Sequence, residues 1–160
     1  MNALCGIQRS SYAAEYAVVS YFVIEWDGAI LSWQDYLEDV IGTNDPGDSM
    51  PSTIRGSIYG DWKRLGLKSE PNDRDNCIHG SNNALEGMRD RLIWIKGSLA
   101  LTDLYGSRLL SERITSSTMR KIIDTQGGVA GQALVRAKCR DMGSVNCTEV
   151  ILRLLQEGSI

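Results

Sequence analysis

The sequence predicts an α+β fold carrying a helical extension toward its C-terminal end. Three observations support this. Residues Ala17 to Trp26 form a nearly continuous apolar, β-branched and aromatic run that ends in Asp27-Gly28, the pattern of a buried central strand followed by a tight turn. Thr53 to Tyr59 has the composition of a second, short strand. Beyond Ser98 the apolar residues recur in short helical stretches, covering Leu99 to Leu110, Met119 to Ile123, Val129 to Met142 and Thr148 to Gln156.

The elements between follow from their spacing. Ile30, Trp33, Leu37, Val40 and Ile41 fall on one helical face, with Ser32 and Asp35 as cap and partner and Gly42 as the stop. Thr43 to Ser52 holds Asp45-Pro46-Gly47 and Pro51 and reads as an irregular loop, while the polar stretch Gly60 to Asp75 reads as an exposed excursion. Asn83 and Glu86 have capping-box spacing for a helix whose stripe is Leu85, Met88, Leu92 and Ile95. Gly127-Gly128, Gly143 and Gly158 punctuate the remainder. Residues 1–96 carry 9 basic and 14 acidic side chains against 8 and 6 in 97–160, so a boundary is expected near Gly97.

With 160 residues, 42% of them hydrophobic and 23% charged, the chain is long enough for one modest core. A net charge of -3 with no clustered Lys and Arg argues against a nucleic-acid footprint. The cysteines Cys5, Cys77, Cys139 and Cys147 are scattered, with one histidine in the chain to accompany them, so a structural zinc site is not expected. No apolar run reaches the roughly 18 residues of a membrane span, and the first residues lack a signal-peptide pattern. A reduced, cytoplasmic protein without membrane or nucleic-acid partners is the expectation.

Chemistry is expected where the single histidine sits, in Asn76-Cys77-Ile78-His79-Gly80-Ser81-Asn82-Asn83, just ahead of a helix start. Imidazole titrates near neutral pH and its ring nitrogen can carry a phosphoryl group, while the N–H groups of a helix start suit phosphate oxygens. Taken alone, His79 fits a surface or packing position as well, and Arg55, Asn76, Ser81 and Asp90 fit ion-pair, turn, cap and solvated-helix roles. Gly60 to Ser69 imitates a phosphate-binding P-loop, but five residues separate its glycines, an extra leucine precedes the lysine, and no helix follows Pro71.

Two stretches in order, Pro51-Ser52-Thr53-Ile54-Arg55-Gly56-Ser57 and Asn76-Cys77-Ile78-His79-Gly80-Ser81, resemble the nucleoside diphosphate kinases, whose Pro-Gly-Thr-Ile-Arg-Gly-Asp precedes Asn-x-x-His-Gly-Ser. The resemblance runs from about Val18 to Ile95, through Trp26-Asp27-Gly28, Gly42 and Asp45-Pro46, and corresponds to the second half of that family. It implies a partial ferredoxin-like fold within the α+β class, with residues 1–97 as a truncated kinase-like domain and 98–160 as a helical extension. It further implies that His79 takes the γ-phosphoryl of ATP and passes it to nucleoside diphosphates, with Ser81 and Asp90 orienting the imidazole. Arg55, Asn76, Asn44, Thr43 and Gly80 would hold the nucleotide, Mg²⁺ would arrive with it, and the chain would form a homo-oligomer.

The departures point to a second reading. The family's phosphate-binding lysine and base-stacking phenylalanine have no counterpart, since the one phenylalanine, Phe22, lies in the expected central strand. Glu38 replaces an arginine, a charge reversal at a polyphosphate position, Asn44 replaces a threonine, Ser57 an aspartate, and Asp90 a glutamate. The excursion between Arg55 and His79 is about ten residues longer than in compact members. A non-catalytic interaction or scaffold module, or an incomplete pseudoenzyme, therefore stands beside the kinase expectation.

Overall fold

The computed structural model describes residues 15–123 and 130–160; Cys5, Gly127-Gly128 and Val129 lie outside them. Among the described residues the chain is built of helices and irregular segments, with no β-strand and one isolated bridge, Asn72 to Asp75. The expected α+β, ferredoxin-like fold is thereby corrected. Of the apolar run Ala17 to Trp26, residues 17–25 lie exposed, Val18 at 88% and Phe22 at 85%, and the run forms no ladder with any described residue. A strand is stable only when its backbone groups meet a partner, and the described residues supply none. Its far end is anchored: Asp27 Oδ1 accepts from Ala29 N (2.8 Å) in the expected turn, and Trp26 stacks on Tyr36 at 4.5 Å while its indole N–H donates to Leu31 O (2.8 Å).

The first helix, α1, is an α-helical turn, Trp33–Asp35, that runs on as a π-helix, Tyr36–Ile41. Ser32 Oγ accepts from Asp35 N (3.0 Å), as its cap position predicts. Gly42 ends the helix with φ 100°, a conformation that favours glycine, and its N–H closes the wide turn onto Leu37 O (2.9 Å). A 3-10 turn, Pro46–Asp48, then buries Pro46.

The second expected strand is instead a helix, α2, Ile54–Asp61. The β-branched run that suggests a strand begins with Thr53, which acts as an N-cap: its Oγ1 accepts from Gly56 N (3.1 Å) while donating to Met50 O (2.8 Å). Gly56 presses against the preceding loop so closely that a Cβ there would stand 2.0 Å from Met50 O. Capping chemistry and this close approach outweigh β-propensity, which measures mostly packing on a sheet that is not present. The excursion that follows is turns and bends tied by Tyr59 Oη donating to Glu70 (3.0 Å) and by the Arg64–Asp61 pair.

Helix α3, Ala84–Trp94, starts as its capping box predicts: Asn83 Oδ1 accepts from Glu86 N (2.8 Å), and Glu86 Oε2 accepts from Asn82 N (2.8 Å), one residue before the ideal partner. Helices α4, Leu104–Ser111, α5, Ser116–Ile123, α6, Ala130–Lys138, and α7, Ser144–Gln156, follow. Asp103 caps α4 through Tyr105 N (2.9 Å) and Gly106 N (3.2 Å), and the same carboxylate holds the Arg91 guanidinium at 2.5 and 2.9 Å.

These five helices share one core. Met88 of α3 is fully buried with Leu109, Met119, Val135 and Ile151 of the others, so α3, before Gly97 in sequence, shares its core with the helices after it. Hydrogen bonds from Asp141 N to Asn82 O (2.9 Å) and from Ala84 N to Met142 O (3.4 Å) fasten the start of α3 to the connection between α6 and α7. The helical tail thus fixes the platform ahead of which His79 lies. No helix among the described residues is long and apolar enough to cross a membrane, and Cys77, Cys139 and Cys147 are free.

Candidate functional site

The site is assembled from three pieces: the loop after α1, the start of α2, and the segment leading into α3. Arg55, on the first turn of α2, joins them. Its side chain is turned inward, the residue being only 8% exposed, and its Nη1 donates to Gly42 O (2.8 Å) and Asn44 Oδ1 (3.3 Å) while Nη2 donates to Ile78 O (3.0 Å). Its Nε–H is buried without a partner among the described residues. Burial lowers the Arg55 pKa from its ordinary value, but an arginine keeps its charge at neutral pH regardless.

Asn76 closes the same loop from the other side, its Nδ2 donating to Asn44 O (3.1 Å). Thr43 engages its own turn through Asp45 O (2.8 Å) and Ser49 Oγ (3.0 Å). Between Asn76 and Ile78 the backbone of Cys77 takes φ 66°, a left-handed conformation uncommon for a residue with a side chain. Burial and the nearby Asp75 push the Cys77 thiol pKa up, which disfavours a thiolate. Gly80 rests on α1, where a Cβ would come within 3.1 Å of Leu37 and 3.4 Å of Ile41.

His79 meets Asp90 across the start of α3. Nε2 of the imidazole lies 3.0 Å from Asp90 Oδ2, and Ser81 Oγ donates to that same oxygen at 2.7 Å. Asp90 is one turn beyond Glu86 on α3, so helical spacing brings it back over the segment that the capping box holds. The Trp33 indole N–H donates to Ser81 O (2.8 Å) and ties this corner to α1. The imidazole side chain is 59% exposed and the Asp90 side chain 17%.

The electrostatics follow from this contact. The hydrogen bond to Asp90 raises the His79 pKa, against the opposing effects of burial and of the Arg55 charge. Burial alone would raise the Asp90 carboxyl, but the hydrogen bonds from His79 and Ser81 outweigh it and hold it below the ordinary value. An ionised carboxylate only accepts, so Nε2 carries the proton and the lone pair of a neutral ring resides on Nδ1.

The structure therefore brings His79, Ser81 and Asp90 into one bonded group and links Arg55, Asn44 and Asn76 in a second, connected through Ile78. Phe22 is far from buried, and Glu38 bonds Gln34 Nε2 on α1 at 3.0 Å. Two residues with a part in the site were not anticipated there: Trp33, read as an apolar stripe position although its indole N–H requires a partner, and Glu86, read only as a cap. Glu86, His79 and Asp90 each offer a ligand atom within 4.8 Å of the others. No protein-family model, curated protein or solved structure matches this chain.

Proposed function

We propose that this chain is a histidine phosphotransferase that moves the γ-phosphoryl of a nucleoside triphosphate to a nucleoside diphosphate through His79, as the nucleoside diphosphate kinases that its motifs resemble do. The observation that carries the reading is the contact between His79 Nε2 and Asp90 Oδ2 at 3.0 Å. It leaves Nδ1 as the nucleophile. Its lone pair forms a bond to the γ-phosphorus as the bond from that phosphorus to the bridging oxygen breaks, and the diphosphate departs with the electron pair. No proton has to leave the ring, which becomes positively charged, and the Asp90 carboxylate compensates that charge. A phosphate oxygen of the second diphosphate then attacks the phosphorus and restores the imidazole.

Ser81 holds Asp90 in place, and Arg55 supplies a fixed positive charge near the ring while it ties the histidine segment to the loop of Thr43 and Asn44. Mg²⁺, entering on the nucleotide, would neutralise phosphate charge. His79, Glu86 and Asp90 do not make a Mg²⁺ cage, since that ion prefers oxygen ligands in octahedral geometry.

A second reading is favoured by Arg55, whose forks are engaged by main-chain carbonyls, and by the exposure of Phe22, which forms no base-stacking platform. Under it the chain is a binding module without transfer activity. Incubation with Mg²⁺ and γ-labelled ATP separates the two. Acid-labile, alkali-stable label that is chased by a nucleoside diphosphate and absent in His79→Ala is the expected result. An unlabelled, cooperatively folded chain would overturn the phosphotransferase reading.

A further inference from the structure

We propose that His79, Glu86 and Asp90 form a site for a divalent transition metal of the zinc class, and that the bound ion silences the imidazole as a nucleophile. The metal site stands on its own; the silencing rests on the phosphotransferase reading. The three ligand atoms lie within 4.8 Å of one another and come from two elements: Glu86 and Asp90 from one face of α3, His79 from the segment before it. Around tetrahedral zinc, donors at about 2.0–2.2 Å stand about 3.3–3.5 Å apart, a contraction that rotation of these partly exposed side chains supplies. The protein hydrogen bonds to Glu86 and Asp90 fall on one oxygen of each, Oε2 and Oδ2, so each carboxylate has a second oxygen to turn toward the ion. One nitrogen and two carboxylate oxygens favour zinc, cobalt or nickel over magnesium and calcium, which prefer oxygen alone. Three protein ligands leave a position open to water.

The consequence for the ring is a change of tautomer. Nε2 faces Asp90, so an ion shared with that carboxylate takes the Nε2 lone pair and the ring proton must reside on Nδ1. A neutral imidazole moves its proton from Nε2 to Nδ1 through solvent, and an imidazolium gives one proton to the buffer. In either case Nδ1 has no lone pair left to accept a phosphoryl group.

The test uses the full chain without nucleotide. Calorimetric titration with Zn²⁺ should saturate at one ion per chain, with Mg²⁺ giving no binding. Glu86→Gln, which keeps an acceptor for Asn82 N, should weaken binding at least tenfold, and His79→Asn should abolish it. Each variant is checked by circular dichroism for retained helix. Cys77→Ser should bind as the parent does; loss of binding there would assign the ion to the thiol and overturn the proposal, as would unchanged binding in Glu86→Gln or the absence of a one-to-one plateau. Because the chain has one histidine, ¹⁵N shifts report the ring directly. A protonated Nδ1 on zinc addition is expected, and a protonated Nε2 in the saturated protein would refute the silencing. Failure of His79 to take label from ATP in the metal-free protein would refute the phosphotransferase reading alone and leave the calorimetric result standing.

Discussion

Asp90 Oδ2 receives two hydrogen bonds at once, from His79 Nε2 at 3.0 Å and from Ser81 Oγ at 2.7 Å, and this shared oxygen determines how the imidazole is protonated. The pair raises the pKa of His79 and lowers that of Asp90. Its contribution to stability is fully present between the ordinary carboxylate value and the ordinary histidine value. It is lost as pH rises through the raised His79 pKa, and again as pH falls through the lowered Asp90 pKa.

Replacing Asp90 by Asn should therefore lower the His79 pKa. NMR titration of the single imidazole reads this without assignment ambiguity. Phosphoryl acceptance needs the neutral ring, so in the parent it should grow as pH rises through the raised pKa, and in Asp90→Asn its rising limb should move to lower pH with a reduced plateau. An unmoved titration midpoint would show that the carboxylate does not govern the ring.

Arg55→Met should destabilise the fold by about 2–4 kcal/mol, because the Gly42 and Ile78 carbonyls lose their donors in a buried place. Arg55→Lys, able to reach one of them, should lose less. Urea midpoints at constant slope give the comparison.

Two glycines of α2 should respond in opposite ways. Gly56→Ala drives a Cβ against Met50 O at 2.0 Å and should cost about 2–3 kcal/mol. Gly60→Ala meets nothing within 4 Å in the last turn of α2 and should stabilise by about 0.5 kcal/mol. Thermal unfolding of the two variants provides the check, and a destabilised Gly60→Ala would contradict the helical assignment.

Asp103→Ala removes both the cap of α4 and the partner of Arg91, and should cost about 2–3 kcal/mol. Asp103→Asn keeps an acceptor for Tyr105 N and Gly106 N but not the charge, and should lose roughly half as much. Equal losses in the two variants would place the whole effect in the ion pair.

Local chemistry was legible along the chain. Ser32 before α1, Asn83 and Glu86 around the start of α3, and Gly42 as a helix stop depend on groups within a few residues, so sequence spacing is enough to find them. The cap of α4 by Asp103 and the start of α7 at Ser144, four residues before the expected Thr148, were not read, because apolar periodicity marks the buried middle of a helix better than its end.

The two strands failed for a different reason. A helix satisfies its backbone within itself, whereas a strand requires a partner that hydrophobicity and β-branching cannot reveal. Thr53 could therefore cap a helix, and the run from Ala17 could stay without a strand partner among the described residues, exposed as far as Glu25. Arg55 shows the same limit at the site: its residue type fits a phosphate clamp, and only the folded chain shows its guanidinium turned onto the Gly42 and Ile78 carbonyls.

By itself the sequence singled out His79, Ser81 and Asp90 as candidate site residues and placed the caps around them, because composition, caps and motif order are local properties. Tertiary structure alone decided that these residues stand ahead of a helical core rather than on a sheet, and that Trp33 joins them, because that contact depends on which elements meet across 48 residues of chain.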